Sequence, residues 1–187
     1  MRSCLARRHI LTNFDFQPTL EGDRVTVRPV ARADWTDMFA AAADPAIWAQ
    51  HPASDRYTEK VFRQYFDGAI ASGAAFAFID RANGKIIGSS RFHGLNPVAR
   101  EIEIGWTFLA RDYWGGSYNS EIKRLMLDHA FEFVDTVVFW VGESNHRSRR
   151  AMEKIGGMLR AGVHFREGGG DAPSVIYEIR KPGFDSQ

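Results

Sequence analysis

The sequence predicts a single mixed α/β domain, in which helices pack on a central sheet. Its 187 residues favour one domain that buries a core of its own. Three patterns support this class: a hairpin signal at Asn83-Gly84, an alternating strand over Glu101–Leu109, and an amphipathic helix after a Gly-Gly turn. The helix is indicated by residues that repeat at i, i+3, i+4, i+7, i+8 and i+11, namely Ile122, Leu125, Met126, His129, Ala130 and Phe133. His129 falls on this stripe and is interpreted as a core histidine.

The N-terminal part is expected to hold one strand and one helix. Residues 24–28 alternate polar and apolar side chains up to Pro29, as a strand does. Helical spacing then follows at Trp35, Met38, Phe39 and Ala42. Asp44-Pro45 should end this helix, because a residue before proline disfavours the helical region.

A loop or broken helix over Ala46–Tyr57 separates this helix from a second one. Thr58 is placed to cap the second helix, and Gly73 should stop it. The two strands of the hairpin follow, at Ala75–Asp80 and Lys85–His93.

The third strand, Glu101–Leu109, is expected to place its apolar residues on one face. Ile102, Ile104, Trp106 and Phe108 fall at period two, and Glu103, Gly105 and Thr107 should then share the other face.

The C-terminal part adds strands and one more helix. The continuous apolar run Val137–Val141 is typical of a strand buried on both faces. Ser144 or Asn145 is placed to cap a helix that runs to Ile155 and ends at Gly156-Gly157. Strands near 159–165 and 174–180 complete the order β-α-α-β-β-β-α-β-α-β-β.

Composition excludes several classes of protein. Lysines and arginines number 24 against 23 acidic residues, so no overall field favours nucleic acid. The single cysteine, Cys4, cannot form an intrachain disulfide, as is typical of a reducing compartment. No apolar run reaches signal-peptide length or the about 20 residues of a membrane span. We therefore expect a cytoplasmic protein with no membrane partner. Residues 1–19 are interpreted as a tail or lead-in, 20–181 as the domain and 182–187 as a second tail.

The histidines give no indication of a metal site. None of them is paired at i, i+3 or i+4 in the spacing that metal ligands on a helix adopt. The candidates considered are His51, His93, His129, His146 and His164. No metal is expected.

The segment Phe108–Glu121 carries the strongest chemical signal. A strand enters a tight glycine turn, and the turn opens the long helix, whose first N–H groups have no partners within the helix. These donors and the helix dipole bind phosphate oxygens, and Gly115 and Gly116 let an anion approach the backbone. A plain tight turn that starts a core helix remains the alternative. The Gly-Lys-Ser/Thr ending of a P-loop is missing, as is the last glycine of a nucleophile elbow at Ser117.

Two sequence motifs resemble those of one known protein family. The run from Glu103 to Glu121, with Trp114-Gly115-Gly116-Ser117-Tyr118-Asn119 at its turn, resembles the cofactor motif of the GNAT acetyltransferases. The run Asn145–Gly156 resembles the family's next motif, and the similarity extends loosely over 20–180. It is closest to the branch of the ribosomal-protein-alanine (RimJ/RimL-type) acetyltransferases.

The resemblance implies a fold and an activity. The fold is one domain with a central, mostly antiparallel, twisted sheet, splayed at the cofactor site and covered by helices on both faces. The activity is transfer of an acetyl group from acetyl-CoA to a primary amine by direct attack. The acceptor would be a protein N-terminus, an amino acid or a small amine, and a homodimer is one form of assembly that the family suggests.

The same resemblance assigns roles to individual residues. Glu103 is the candidate base, Ser148 the proton donor to the leaving thiolate, and Asn145 a contact to pantetheine or to a water. The implied cofactor-binding residues are Phe108, Leu109, Gly115, Gly116, Ser117, Tyr118, Asn119, Asn145 and Arg150. Each has a structural alternative: Glu103, like Glu101, as a solvated carboxylate, Asn145 as a helix cap, and Ser148 and the arginines as surface residues.

Acceptor specificity is expected to come from loops on the rigid scaffold. The loops 46–57 and 166–173 are the candidates, the second with three glycines at 168–170. The residues proposed to line the acceptor site are Trp48, His51, His93 and Trp140.

Three positions depart from the family pattern. Asp112 stands where the family usually has glutamine or arginine, Ser117 replaces a glycine, and Met152 stands where many members carry a tyrosine acid. These departures motivate an alternative, a non-catalytic CoA-binding domain of the same fold. A hydrolase built on Ser117 is a more remote alternative.

Overall fold

The computed structural model describes residues 14–166 and 172–183. The strands are β1 Leu20–Glu21, β2 Val25–Pro29, β3 Ala75–Asp80, β4 Ile86–Asn96, β5 Glu101–Leu109, β6 Thr136–Gly142, β7 Met158–Leu159, β8 His164–Phe165 and β9 Pro173–Arg180. The helices are α1 Trp35–Ala42, α2 Pro45–Trp48, α3 Glu59–Ser72, α4 Ser117–Ala130 and α5 His146–Lys154. None of the helices in these two ranges combines the length and apolar character needed to cross a membrane.

One sheet connects all these strands in the order β1-β2-β3-β4-β5-β6-β9-β7, with β8 also paired to β9. The described neighbours are antiparallel apart from β5 and β6, which run parallel. The mixed α/β class and the mostly antiparallel sheet are thus confirmed. The pairing of β5 with β6 extends from Glu101 opposite Thr136 to Glu103 opposite Val138, and the strands diverge beyond it. This divergence is the predicted splay.

Helices cover both faces of the sheet, each over its own apolar cluster. On one face, α1, α2 and α3 bury Met38, Trp48, Phe62 and Phe66. On the other face, Ile122 and Met126 of α4 pack over β5 and β6, as the helical stripe predicted. His129 lies in this second core and hydrogen-bonds through Nε2 to the Asp15 carbonyl at 2.8 Å, so the prediction of a core histidine is confirmed.

Most element bounds follow their sequence signals. α3 ends at Gly73, whose φ of +59° places it in the left-handed region that glycine tolerates. Segment 46–57 is a broken helix: α2 occupies its start, and turns follow. The expected strand 159–165 consists of two short pieces, β7 and β8, because the chain turns at Gly162. Packing also begins before residue 20, since Phe14 is buried against Phe92 and Phe133.

The predicted faces of β5 are wrong in its second half. Ser89 of β4 lies opposite Phe108 and Arg91 lies opposite Gly105, so two β5 residues, Trp106 and Thr107, oppose Ser90 alone. This is a β-bulge, and Trp106 takes the uncommon φ of +53°. Strict alternation assumes a regular pleat, and the extra residue reverses it.

The bulge therefore changes which side chains share a face. Trp106 and Phe108 lie with Glu103 on the face of α3, instead of with Ile102 and Ile104. Thr107 points to the face of α4, where its hydroxyl meets Lys123.

Candidate active site

The turn before α4 leaves the start of that helix open. Gly115 has a φ of +72°, a conformation that a residue with a Cβ rarely adopts, and Gly116 is the extended N-cap. No side chain of the described residues caps this end. A Cβ built on either glycine would meet no atom of the described chain within 4 Å. The first N–H groups of α4 therefore face open space, as an anion site requires.

A buried carboxylate holds this turn against the β3–β4 hairpin. Asp80 accepts hydrogen bonds from the hydroxyls of Tyr113 at 3.0 Å and Tyr118 at 3.1 Å. Asn83 donates to it at 2.7 Å. Burial opposes its charge, but these bonds and one from the Ala82 N–H keep the pKa of Asp80 below its ordinary value. These hydrogen bonds hold Tyr113 and Tyr118 against the hairpin.

Beyond Glu103, Lys123 of α4 contacts both strands, β5 and β6, on the α4 face of the gap between them. Its ammonium donates to the Thr107 hydroxyl at 3.0 Å and lies 5.0 Å from the centre of the Phe139 ring. The residue is only 2% exposed, and no carboxylate of the described chain forms an ion pair with it. Burial lowers the pKa of Lys123 to about 7.

On the opposite face of the same gap, Glu103 pairs with an arginine. Its carboxylate is buried and accepts two hydrogen bonds from Arg166, from Nη1 at 3.0 Å and from Nη2. The guanidinium lies over the rings of Trp106 on β5, at 4.6 Å, and Trp140 on β6, at 4.9 Å. Glu103 is thus a buried, paired group and not the solvated carboxylate of the alternative.

The start of α5 lies at the same end of the sheet. Asn145 is its N-cap, and its side chain accepts the Ser148 N–H at 3.1 Å. Arg147 donates to the carbonyls of Ala46 and Ile47 in α2 and stacks 4.2 Å above the Trp114 ring. Burial lowers the pKa of Arg147. Arg150, one of the proposed cofactor ligands, is exposed.

The remaining candidates lie at different depths. Trp48 is 2% exposed and donates its indole N–H to the Ala42 carbonyl, so it supports the site from the core. His51 is half-buried, whereas His93 is exposed and packs on the Trp106 ring. The Phe108 side chain is buried in the α1–α3 core, and the Leu109 carbonyl accepts the Trp114 indole N–H at 2.8 Å. Of the loop 166–173, residues 167–171 lie outside the described residues.

A cavity of about 330 Å³ adjoins Trp106 on the α3 face. Arg56, Tyr65 and Arg91 contribute to its lining. Sequence reasoning missed all three. The one available signal was Arg91 itself, a charged residue within the otherwise apolar and small run Ile86–Phe92. Arg166 was also missed as a partner of Glu103, because 63 residues separate them.

The geometry agrees with a comparison of the sequence with known families. Residues 24–158, well over half of the chain, match the family described as acetyltransferase (GNAT) domain. The chain belongs to the GNAT acetyltransferase family. It is therefore an acyltransferase, and GNAT acetyltransferases act on amine acceptors.

Individual relatives agree with this assignment. An uncharacterised N-acetyltransferase of Bacillus subtilis (strain 168), YoaA, is 25% identical in an alignment that covers 88% of this chain and 98% of the relative. The crystal structure of a GCN5-related N-acetyltransferase from Brucella melitensis superposes with a TM-score of 0.77 at 22% identity, covering 88% of this chain and 79% of the other. Mycobacterium smegmatis RimJ, in complex with CoA-disulfide, superposes with a TM-score of 0.63 at 19% identity, covering 83% and 81%.

The departures from the GNAT pattern have clear structural places. Met152 is 6% exposed and packs in the core beneath α5, so this chain lacks a proton donor at that position. Asp112 is exposed in the turn before Gly115. Ser117 is exposed, and no histidine of the described chain hydrogen-bonds to it, which gives the hydrolase alternative no support.

Proposed function

We propose that this GNAT enzyme transfers the acetyl group of acetyl-CoA to a primary amine by direct attack. The observation that carries the proposal is the open start of α4, at Gly116, beside the gap where β5 leaves β6. The first feature suits a diphosphate, and the second leaves unpaired strand edge for an extended amide chain. The CoA-disulfide bound to Mycobacterium smegmatis RimJ and the two sequence motifs support this cosubstrate and the RimJ/RimL branch.

The residues of the turn and of α5 would bind the cosubstrate. The backbone N–H groups at 116–119 would donate to the diphosphate, and Gly115 would shape the turn. Arg147 supplies a cation next to Trp114, and no carboxylate of the described residues pairs with it. Bound there, acetyl-CoA supplies an activated thioester.

Glu103 would accept the proton that the amine must lose. A carboxylate offers about four lone-pair positions, and Arg166 occupies two, so the others can accept from the ammonium or from a water. The acceptor nitrogen then bonds to the acetyl carbon as the carbon–sulfur bond breaks, and a proton passes to the sulfur. Ser148, half-buried at the start of α5, is the proposed donor of that proton.

A thiol-release assay tests the proposal. Purified protein is given acetyl-CoA with a panel of amines, and free CoA is measured with a thiol reagent. Gly116→Asp should weaken CoA binding at least tenfold, because its carboxylate would cap α4 in place of the anion and repel it. The folded state should be as stable as before, since aspartate is a favourable N-cap. Gly116→Ala adds a Cβ without charge and is the matched control.

Two results would contradict the proposal. Equal CoA affinity in Gly116→Asp and Gly116→Ala would show that the diphosphate does not bind at the start of α4. Thermal stabilisation by CoA without thiol release from any amine would favour the non-catalytic CoA-binding alternative.

A further inference from the structure

The cavity beside the bulge has a distinct chemical character, and we call it the arginine pocket. It has a volume of about 330 Å³, is open to solvent on one side, and is lined in part by Arg56, Gln64, Tyr65, Gly68, Arg91 and Trp106. It lies between α3 and strands β4 and β5, on the face that also carries Glu103. The proposed acetyl-CoA site, in contrast, begins at α4 and runs along the gap between β5 and β6.

Arg91 is buried without a counter-ion. It is 8% exposed, and one of its hydrogen bonds goes to the Gly68 carbonyl at 3.2 Å. Its Nε is fully buried and has no partner among the described residues. No carboxylate of the described chain lies within ion-pair distance; Glu103 acts on it only over a longer range. Burying a guanidinium without a counter-ion costs free energy, unless a bound ligand supplies the missing charge and hydrogen-bond acceptors.

Arg56 adds a second cation to the same cavity. It is half-buried, contacts His51 Nε2 at 3.3 Å, and forms no ion pair with the described acidic residues. Burial lowers the pKa of His51 to about 4, so that histidine is neutral at physiological pH. The pocket therefore holds two positive charges that have no direct ion pair among the described residues, with Asp55 and Glu103 acting on them only over a longer range.

Aromatic rings fix the two guanidiniums in place. Arg91 lies 4.5 Å from the centre of the Trp106 ring and 5.7 Å from that of Tyr65. Arg56 lies 5.0 Å from the Tyr65 ring and 5.1 Å from the Trp48 ring. The Tyr65 hydroxyl in turn donates to the Trp106 carbonyl at 2.8 Å. Such stacking holds the donors without neutralising them, and a guanidinium fork matches the oxygens of a carboxylate or phosphate.

Trp106 links the pocket to the proposed reaction centre, because Arg166, the partner of Glu103, also stacks on its ring. Trp106 forms both a wall of the pocket and the bulge of β5, and Arg91 lies opposite Gly105 across the strand pair. Glu103, the proposed base, is two residues before Gly105 on the same face. An acceptor held by an anionic group at Arg56 and Arg91 can thus extend its amine toward Glu103.

We infer that the arginine pocket binds an anionic group, a carboxylate or a phosphate, on the amine acceptor. This inference rests on the proposed function, since it names the class of acceptor. The enzyme would accordingly prefer amines that carry a negative charge a short distance from the nitrogen over the same amines without it.

The test compares amines that differ only in the anionic group. Phenylalanine against phenethylamine examines a carboxylate, and phosphoethanolamine against ethanolamine examines a phosphate. In thiol release, the anionic member of at least one pair should have a kcat/KM at least tenfold higher, and the pair that shows the preference identifies the anion. Arg91→Met and Arg56→Met should each raise the acceptor KM at least tenfold and leave the KM for acetyl-CoA unchanged. Arg91→Lys should retain part of the preference.

A matched control and a binding measurement separate the two proposals. Arg63→Met removes an arginine of α3 that is stacked on Trp35 outside the pocket, and it should change neither KM. Calorimetry with N-acetylphenylalanine and with inorganic phosphate measures binding to the pocket without any turnover. Arg91-dependent binding of either probe in a chain that acetylates no amine would overturn the proposed function and leave the pocket standing. Acetylation of both members of each pair at equal rates, unchanged in Arg91→Met, would overturn the pocket and leave the function standing.

Discussion

The carboxylate of Glu103 and the guanidinium of Arg166 form a two-point ion pair inside the angle between β5 and β6. Arg166 is at the same time held between two indole rings, Trp106 on one strand and Trp140 on the other. The guanidinium of Arg166 therefore bridges the strands at Trp106 and Trp140, just beyond their last backbone pair. We propose that this pair orients the buried carboxylate so that it can serve as the base of the reaction.

Replacing Glu103 by glutamine tests this role. Glu103→Gln keeps the shape and loses the negative charge, so kcat should fall at least 100-fold while the affinity for CoA stays within twofold. The matched control is Glu101→Gln, since Glu101 lies on the same strand and is also paired with an arginine, Arg160. Steady-state thiol release and calorimetry measure the two quantities. Equal loss of kcat in both variants would show that Glu103 has no special part in proton transfer.

Arg147 should contribute more than Arg150 to binding of the cosubstrate. Arg147 stacks on Trp114 beside the turn, whereas Arg150 is exposed farther along α5. Arg147→Gln should weaken CoA binding about tenfold, as expected for the loss of one charge-assisted contact, and Arg150→Gln should weaken it less. Calorimetric titration with CoA decides between them. A larger loss of CoA affinity in Arg150→Gln would show that the phosphate groups bind near Arg150 and not beside Trp114.

Lys123 should make stability depend on pH. Folding lowers its pKa from 10.5 to about 7, so the unfolded chain binds more protons between these values and the free energy of unfolding rises with pH across that window. Lys123→Met should be more stable than the native chain at pH 7 by on the order of a few kcal/mol, and the difference should shrink toward pH 10.5. Urea unfolding at several pH values measures it, with Lys60→Met on the exposed side of α3 as control. A difference that does not vary with pH would refute the effect.

The hydrogen bonds that Asp80 accepts should stabilise the folded protein. Asp80→Asn exchanges an acceptor oxygen for a donor opposite Tyr113 and Tyr118, and should lower the free energy of unfolding by about 1–3 kcal/mol. Because folding lowers the pKa of Asp80, its contribution is present above the unfolded value of about 3.9 and is lost as the pH falls through the folded value. Tyr118→Phe, which removes one bond, should cost less. The idea fails if Asp80→Asn unfolds at the same urea concentration as the native chain at pH 7.

The sequence best predicted those features that depend on residues close together in the chain. The strand Glu101–Leu109 and the helix that follows the glycine turn were predicted within a few residues, because period and turn chemistry are local. The bulge at Trp106 was missed, since it is a property of the pairing between β4 and β5. The arginine pocket and the partner of Glu103 were missed for a related reason: α3, β4 and Arg166 meet only after the chain has folded.

Amide NMR during titration with CoA tests the central claim most directly. The backbone N–H signals of residues 116–119 should shift most, because these donors would bind the diphosphate. ADP, which retains the diphosphate, should shift the same signals, and pantetheine, which lacks it, should not. Signals at 116–119 that stay unchanged at saturating CoA would contradict the account.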